Sequence, residues 1–201
     1  MVDESLNLNT VLDDSWQALS TAAGSPFHPF RFAWLATVDE GSAAQVRTVV
    51  LRAASAEHRE LVCFSDARAP KIGQIRANPQ VSWCFFDPTA GVQIRALGRA
   101  EVLVGGDRVE SLFAAVDEAS LVNYAAPLPP GTELDGATGG GSSSATSTES
   151  ISFRALARTS FAVIVTRVDR LDWLQLSPTG NRRARFEWAA DGSLTSNWVQ
   201  A

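Results

Sequence analysis

Short runs of β-branched and aromatic residues, cut off from one another by Gly, Pro or polar punctuation, restrict this chain more than any other feature. AQVRTVVLRA, LVCFS and VSWCFF all fall within residues 44–86. FRFAWLATV precedes them, and VQIRALGRAEVLV, FAVIVTRVDRLDWLQL and ARFEWAADGSLTSNWV follow. Such runs read as strands, so the fold class is expected to be mainly β, an α+β chain of about eight strands. Asp39-Glu40-Gly41 and Asp191-Gly192 mark two hairpins, and FAVIVTRVDRLDWLQL divides into two strands around Asp169-Arg170.

Two stretches carry helical spacing instead. From Asn9 to Ala23, Val11, Leu12, Ser15, Trp16 and Leu19 fall near one face, and Gly24-Ser25-Pro26 ends the pattern. Around Gly106 to Val116, Asp107 reads as a cap with Glu110 three residues on, and Val109, Leu112, Phe113 and Val116 share a face. Residues 127–150, PLPPGTELDGATGGGSSSATSTES, hold almost no large apolar side chain, so this segment is expected to be a flexible loop, either disordered or a lid. With 201 residues and 45% hydrophobic content, the chain is long enough for one packed domain spanning 1–201.

The formal net charge is -5, yet Arg47, Arg52, Arg68, Lys71 and Arg76 crowd around Ser65 and the start of a short helix. In DARAPKIGQIRANP, Pro70 suits the first turn, Ile72 and Ile75 share a face, and Asn78-Pro79 stops the helix. A helix start offers unpaired N–H groups and partial positive charge, which suits a phosphate. Arg68 and Lys71 flank it as a planar fork and a point charge. A solvated basic helix face fits the same spacing.

The acidic balance argues against a nucleic-acid or membrane-surface partner, because both need a broad basic face. MVDESLNLNTVLDD has no basic segment followed by an apolar run, and no stretch of eighteen apolar residues occurs, so a cytoplasmic protein is expected. Cys63 and Cys84 each sit inside an apolar strand, and His28 and His58 are isolated. Structural thiols and no metal site are therefore expected.

Strand alternation puts Arg47, Val49 and Leu51 on one face of their strand and Thr48, Val50 and Arg52 on the other. Farther on, Gln93, Arg95, Leu97 and Arg99 oppose Ile94, Ala96 and Gly98. The alternation is equally that of an ordinary core strand with snorkelling arginine ends.

The ordered set RTVVLR, CFSDARAPK, IRANP and VQIRALGRAEV resembles the pyridoxamine 5'-phosphate oxidase-related family of FMN-binding split-barrel proteins. The resemblance runs from about Trp34 to Trp198, leaving out the middle loop. It implies a split β-barrel with flanking helices, a homodimer, and FMN in two equivalent sites built from both chains. Arg47, Thr48, Val49, Val50 and Arg52 match the strand that lies along the flavin, with Arg47 at the phosphate-reaching position. Phe64 and Ser65 match an aromatic residue and a hydroxyl near the cofactor, and Lys71 matches a phosphate-binding lysine. The biosynthetic enzyme has Arg before that lysine; here Pro70 stands there, with Arg68 as the substitute two positions earlier. Gln93, Trp173 and Arg185 match positions that contact FMN.

The same resemblance implies an FMN-dependent oxidoreductase acting on an unidentified small-molecule substrate or electron donor. Arg52 stands where the biosynthetic enzyme has a substrate-binding Lys, and NRRARF holds no His. True pyridoxamine phosphate oxidation is therefore not expected. The alternatives are a non-catalytic flavin carrier or sensor and a related F420- or haem-binding split barrel.

Overall fold

The computed structural model describes residues 6–134, 136 and 147–201. Among them run eight antiparallel strands: β1 Phe32–Val38, β2 Ala44–Ser55, β3 Glu60–Asp66, β4 Gln80–Asp87, β5 Val92–Leu103, β6 Phe161–Gln175, β7 Arg182–Trp188 and β8 Leu194–Trp198. Their order in the sheet is β3-β2-β1-β4-β5-β6-β7-β8. β3 also pairs with β6, from Glu60 opposite Arg167 to Asp66 opposite Phe161, so six strands close into a barrel. β7 and β8 continue outward from β6 as a hairpin. The fold is the expected split barrel, mainly β.

The helices are α1 Leu8–Gly24, α2 Pro70–Ala77, α3 Asp107–Ala114, α4 Glu118–Leu121 and α5 Ser147–Ser160. Asn7 caps α1 by accepting the Thr10 N–H at 3.0 Å. The helix buries Val11, Ser15, Trp16, Leu19 and Ala22 against the barrel. Gly106, at φ 91°, caps α3 where Asp107 was expected to, and Asp107 is instead the first helical residue.

Two hydrophobic cores meet on β6. Ala162, Ile164, Val168 and Leu171 pack inside the barrel with Leu35, Leu51 and Trp83. Phe161, Val163 and Val165 pack outside it, beneath Val109, Phe113 and Leu121 of the helical layer. A strand covered on both faces has no reason to alternate, which explains the continuous run FAVIV. Within the barrel, Thr166 is fully buried and accepts the Trp83 indole N–H at 3.0 Å.

Three expectations change. β6 is a single strand, and Asp169-Arg170 is no turn: Leu97 pairs with Arg170 and Gly98 with Val168, so one extra residue is absorbed as a bulge. Bulges bend strands, and a closing barrel needs that bend. Residues 147–150, assigned to the loop, instead begin α5. Of the rest of 127–150, residues 127–134 and 136 lie outside helices and strands, and the remaining positions lie outside the described residues. α5 itself was not anticipated. It holds α3 through Arg154, which donates to the Phe113 and Ala114 carbonyls at the end of that helix.

At the bulge, a Cβ built on Gly98 would lie 2.0 Å from the Arg167 carbonyl oxygen. Backbone on both sides must move to admit it. Gly98→Ala is expected to lower unfolding free energy by at least about 1–3 kcal/mol, the cost of overpacking, as measured by urea denaturation.

Candidate functional site

β3 ends at Ser65 and Asp66, and α2 starts four residues later with nothing to neutralise its first turn. Ala69 is its N-cap, makes no side-chain hydrogen bond, and no acidic residue follows. The partial positive charge of that end is left uncompensated. Asp66, 5% exposed, is committed elsewhere. Its carboxylate accepts from Arg68 at two points, 2.7 Å from Nη2 and 3.0 Å from Nε, and also from the Arg68 backbone N–H. Arg68 Nη2 donates in addition to the Ala126 carbonyl at 2.8 Å. In this structure Arg68 is paired with Asp66 and tied to the chain at Ala126.

Lys71 is different. Its Nζ donates to Ser65 Oγ at 2.9 Å and has no carboxylate partner among the described residues. Burial lowers its pKa, as does the charge of Arg47, while Cys63 and Asp66 act the other way. Arg47 reaches behind α2, donating to Thr37 Oγ1 at 2.6 Å, to the Leu35 carbonyl at 3.1 Å and to Gln74 Oε1 at 3.0 Å. All these acceptors are neutral, so its charge is undiminished. Arg52 lies over the Phe64 ring, 5.3 Å from guanidinium carbon to centroid, and its Nε is buried without an acceptor among the described residues. Lys71, Arg52 and Arg47 all bear on the Cys63 thiol, which burial nonetheless pushes up to about 12.

A cleft of about 430 Å³ opens beside these cations, between the outer face of β2 and the segment after α4. Thr48, Val50 and Arg52 line it from β2, Phe64 and Ser65 from β3, and Lys71 from α2. The Val49 side chain belongs to the barrel core, so its main chain is what borders the cleft. Tyr124 covers the far side with its ring edge-on to Phe161, centroids 5.1 Å apart. The volume lies within the range of small-molecule sites. Apolar walls beside unneutralised cations suit a ring-bearing ligand with an anionic tail. FMN fits that description, with Ser65, Lys71 and the α2 start for its phosphate and the β2 main chain, Phe64 and Tyr124 for its ring.

Gln93, Trp173 and Arg185 do not join this cleft within one chain. Gln93 and Arg185 lie on the outer face of β5 and β7; Arg185 is opposite Asp172 of β6. Trp173 turns the other way, into the barrel core, edge-on to Trp198. The outer face also exposes Phe32 (58%), Trp34 (45%), Val46 (61%) and Leu97.

Sequence reasoning missed Gln74, which ties Arg47 to α2, Tyr124 and Asp172. Tyr124 is the only tyrosine, which was a visible signal, as was a carboxylate between Leu171 and Trp173 for Asp172. Among the described residues no group of three or more His, Cys, Asp or Glu gathers as for a metal, and no helix is long and apolar enough to cross a membrane.

A closed six-stranded antiparallel barrel with an edge hairpin and a cationic cleft on its outer wall defines the split-barrel class. Comparison with known proteins narrows it. Residues 13–104 match the family model for the pyridoxamine 5'-phosphate oxidase FMN-binding domain. A pyridoxine/pyridoxamine 5'-phosphate oxidase of Anaeromyxobacter dehalogenans (strain 2CP-C) is 30% identical over 125 residues. That match spans 60% of this chain and 62% of the relative's length, less than two thirds of it. Among solved structures, a pyridoxamine 5'-phosphate oxidase-related FMN-binding protein of Nostoc punctiforme PCC 73102 superposes with TM-score 0.74, at 16% identity, over 98% of this chain and 100% of that one. PhzG of Burkholderia lata 383, solved with tetrahydrophenazine-1-carboxylic acid, gives 0.69 at 15% identity over 99% and 95%. These two likenesses establish the fold. The family model makes residues 13–104 of this chain similar to the pyridoxamine 5'-phosphate oxidase FMN-binding domain.

Burial pushes the Tyr124 phenol up to about 12, against the pull of Arg52. The folded protein therefore holds the neutral phenol after the unfolded chain has lost its proton at roughly pH 10. Since the unfolded state binds fewer protons in that window, stability is expected to fall from pH 10 toward 12. The phenolate absorbance of this single tyrosine should appear near pH 12 in native protein and about two units lower in denaturant.

Proposed function

We propose that this chain binds FMN in the cleft beside α2, as a homodimer, and serves as an FMN-dependent oxidoreductase for a small-molecule substrate. One observation carries the reading. Lys71, at an unprotected helix start and beside the Ser65 hydroxyl, has no carboxylate partner among the described residues, and Arg52 holds a buried Nε without an acceptor. A bound phosphate would satisfy those donors and the helix end together.

FMN, when bound, supplies the electron- and hydride-transfer chemistry, and the chain's residues bind, orient and shield it. Lys71 and Ser65 take the phosphate. Arg47, behind α2, adds positive charge and steadies the helix through Gln74. Thr48, Val49 and Val50 present a strand surface to the ring, and Phe64 with Tyr124 excludes water from it. Arg68, spent on Asp66, closes the 124–126 segment over the cleft.

Gln93, Trp173 and Arg185 enter this reading from a second copy. They lie away from their own chain's cleft, and an exposed apolar face of this kind marks an interaction surface. Trp34→Asp is expected to convert the dimer to monomer in analytical ultracentrifugation and to release FMN with it. A wild-type protein that sediments as a monomer while holding FMN would reject the two-chain site.

The cofactor is tested by the absorption spectrum of purified protein and the mass of what it releases on denaturation. Flavin bands and the mass of FMN are expected; F420 or haem would each give a different spectrum and mass. Lys71→Ala should weaken FMN binding by roughly 1.5–3 kcal/mol in fluorescence titration, the range for hydrogen bonds to charged groups, and Arg47→Ala by less, because Arg47 acts through its charge and through α2. Reduction of the bound flavin by NAD(P)H, followed by reoxidation by an acceptor, is expected. A flavin that passes no electrons onward would make the chain a carrier or sensor.

A further inference from the structure

On the outer face of β5–β7, a single carboxylate organises three guanidinium groups. The Asp172 side chain is only 4% exposed. Arg95 Nη2 donates to its Oδ1 at 2.9 Å. Arg183 grips it at two points, Nε to Oδ1 at 2.9 Å and Nη2 to Oδ2 at 2.8 Å. Arg185 Nε stands 3.6 Å from Oδ2, an ion-pair distance beyond a hydrogen bond. Strand register produces the cluster: Arg95, Asp172 and Arg185 lie directly opposite one another across β5, β6 and β7, with Arg183 two residues along β7.

The charges do not balance. Among the described residues, three guanidiniums face one carboxylate, and the Nε atoms of Arg95 and Arg185 are both buried with no acceptor. A cluster serving the barrel alone needs one arginine on that carboxylate, not three, and orphaned donors cost free energy. Without the carboxylate the three like charges would repel one another apart. Asp172 therefore holds them close while leaving the group net positive.

We propose that Asp172 is a positioning residue: it fixes Arg185, with Arg95 and Arg183 beside it, as a preorganised cationic edge toward FMN seated in a second copy's cleft. This rests on the reading that FMN lies between two copies. Asp172 touches no ligand in this account; it acts through Arg185, whose orphaned Nε it keeps in place.

A double-mutant cycle on FMN affinity tests this, using apoprotein titrated with FMN and checked for folding by thermal melting. Asp172→Asn and Arg185→Ala should each weaken FMN about tenfold, the loss of one charge-assisted contact. The double variant should bind no more weakly than Arg185→Ala alone, because a residue acting through another has no effect once its partner is gone. Asp172→Glu, which keeps the charge, should recover part of the affinity. It also carries the cycle with Arg185→Ala if Asp172→Asn does not fold. Asp172→Asn paired with Lys71→Ala should show additive losses. Wild-type affinity in Asp172→Asn, or losses that add up in the double variant with Arg185→Ala, would overturn this inference while leaving the flavin reading standing. A wild-type protein that takes up no FMN would overturn both.

Discussion

The pairing of β3 with β6 is the contact on which the rest of this protein depends. It closes six strands into a barrel and covers both faces of β6, one by the barrel core and the other by the helical layer. It also fixes where β3 stops. Because Asp66 is held opposite Phe161, the chain must leave the sheet at that point, and the next turn starts α2. The unprotected helix start, Ser65 and Lys71 are thus brought to one place by the closure of the ring.

Two buried carboxylates then divide the positive charge of an acidic chain. Asp66 consumes Arg68 in a two-point bridge and so leaves Lys71 without an anionic partner among the described residues. Asp172 gathers three arginines and neutralises the equivalent of one. In both places the buried acid sets geometry by pairing, and the surplus cations beside it are what an anionic ligand would meet. Counting charges along the chain cannot show this, because it does not say which cation each acid takes.

The legible parts were those that local pattern decides. Alternation in AQVRTVVLRA separates Val49 and Leu51 from Thr48, Val50 and Arg52, and the structure makes the first pair the core side and the other three the outer side. The face assigned to Val11, Trp16 and Leu19 is the buried one, and Ile72 with Ile75 is the buried side of α2. The misreadings came from elements whose cause is not local. Asp169-Arg170 looks like a turn because a polar pair interrupts an apolar run, whereas it is a bulge imposed by pairing with Gly98. ISFRALARTS carries no local cue to its place, which is set by Ala157 packing in the outer core and by Arg154 reaching the end of α3. Nor does the proximity of Arg68 to Lys71 in sequence show that Arg68 pairs with Asp66 two residues before it.

By itself, then, the amino-acid order determined the strands, the amphipathic faces and the concentration of cations before Ile72, because these depend on periodicity and on neighbours within a few residues. Tertiary structure alone decided which of those cations remain unpaired. It also put Tyr124 across the cleft from β2 and turned Trp173 to the opposite side of the sheet from Gln93 and Arg185. Each of these is a meeting of residues distant in the chain, created only when the barrel closes.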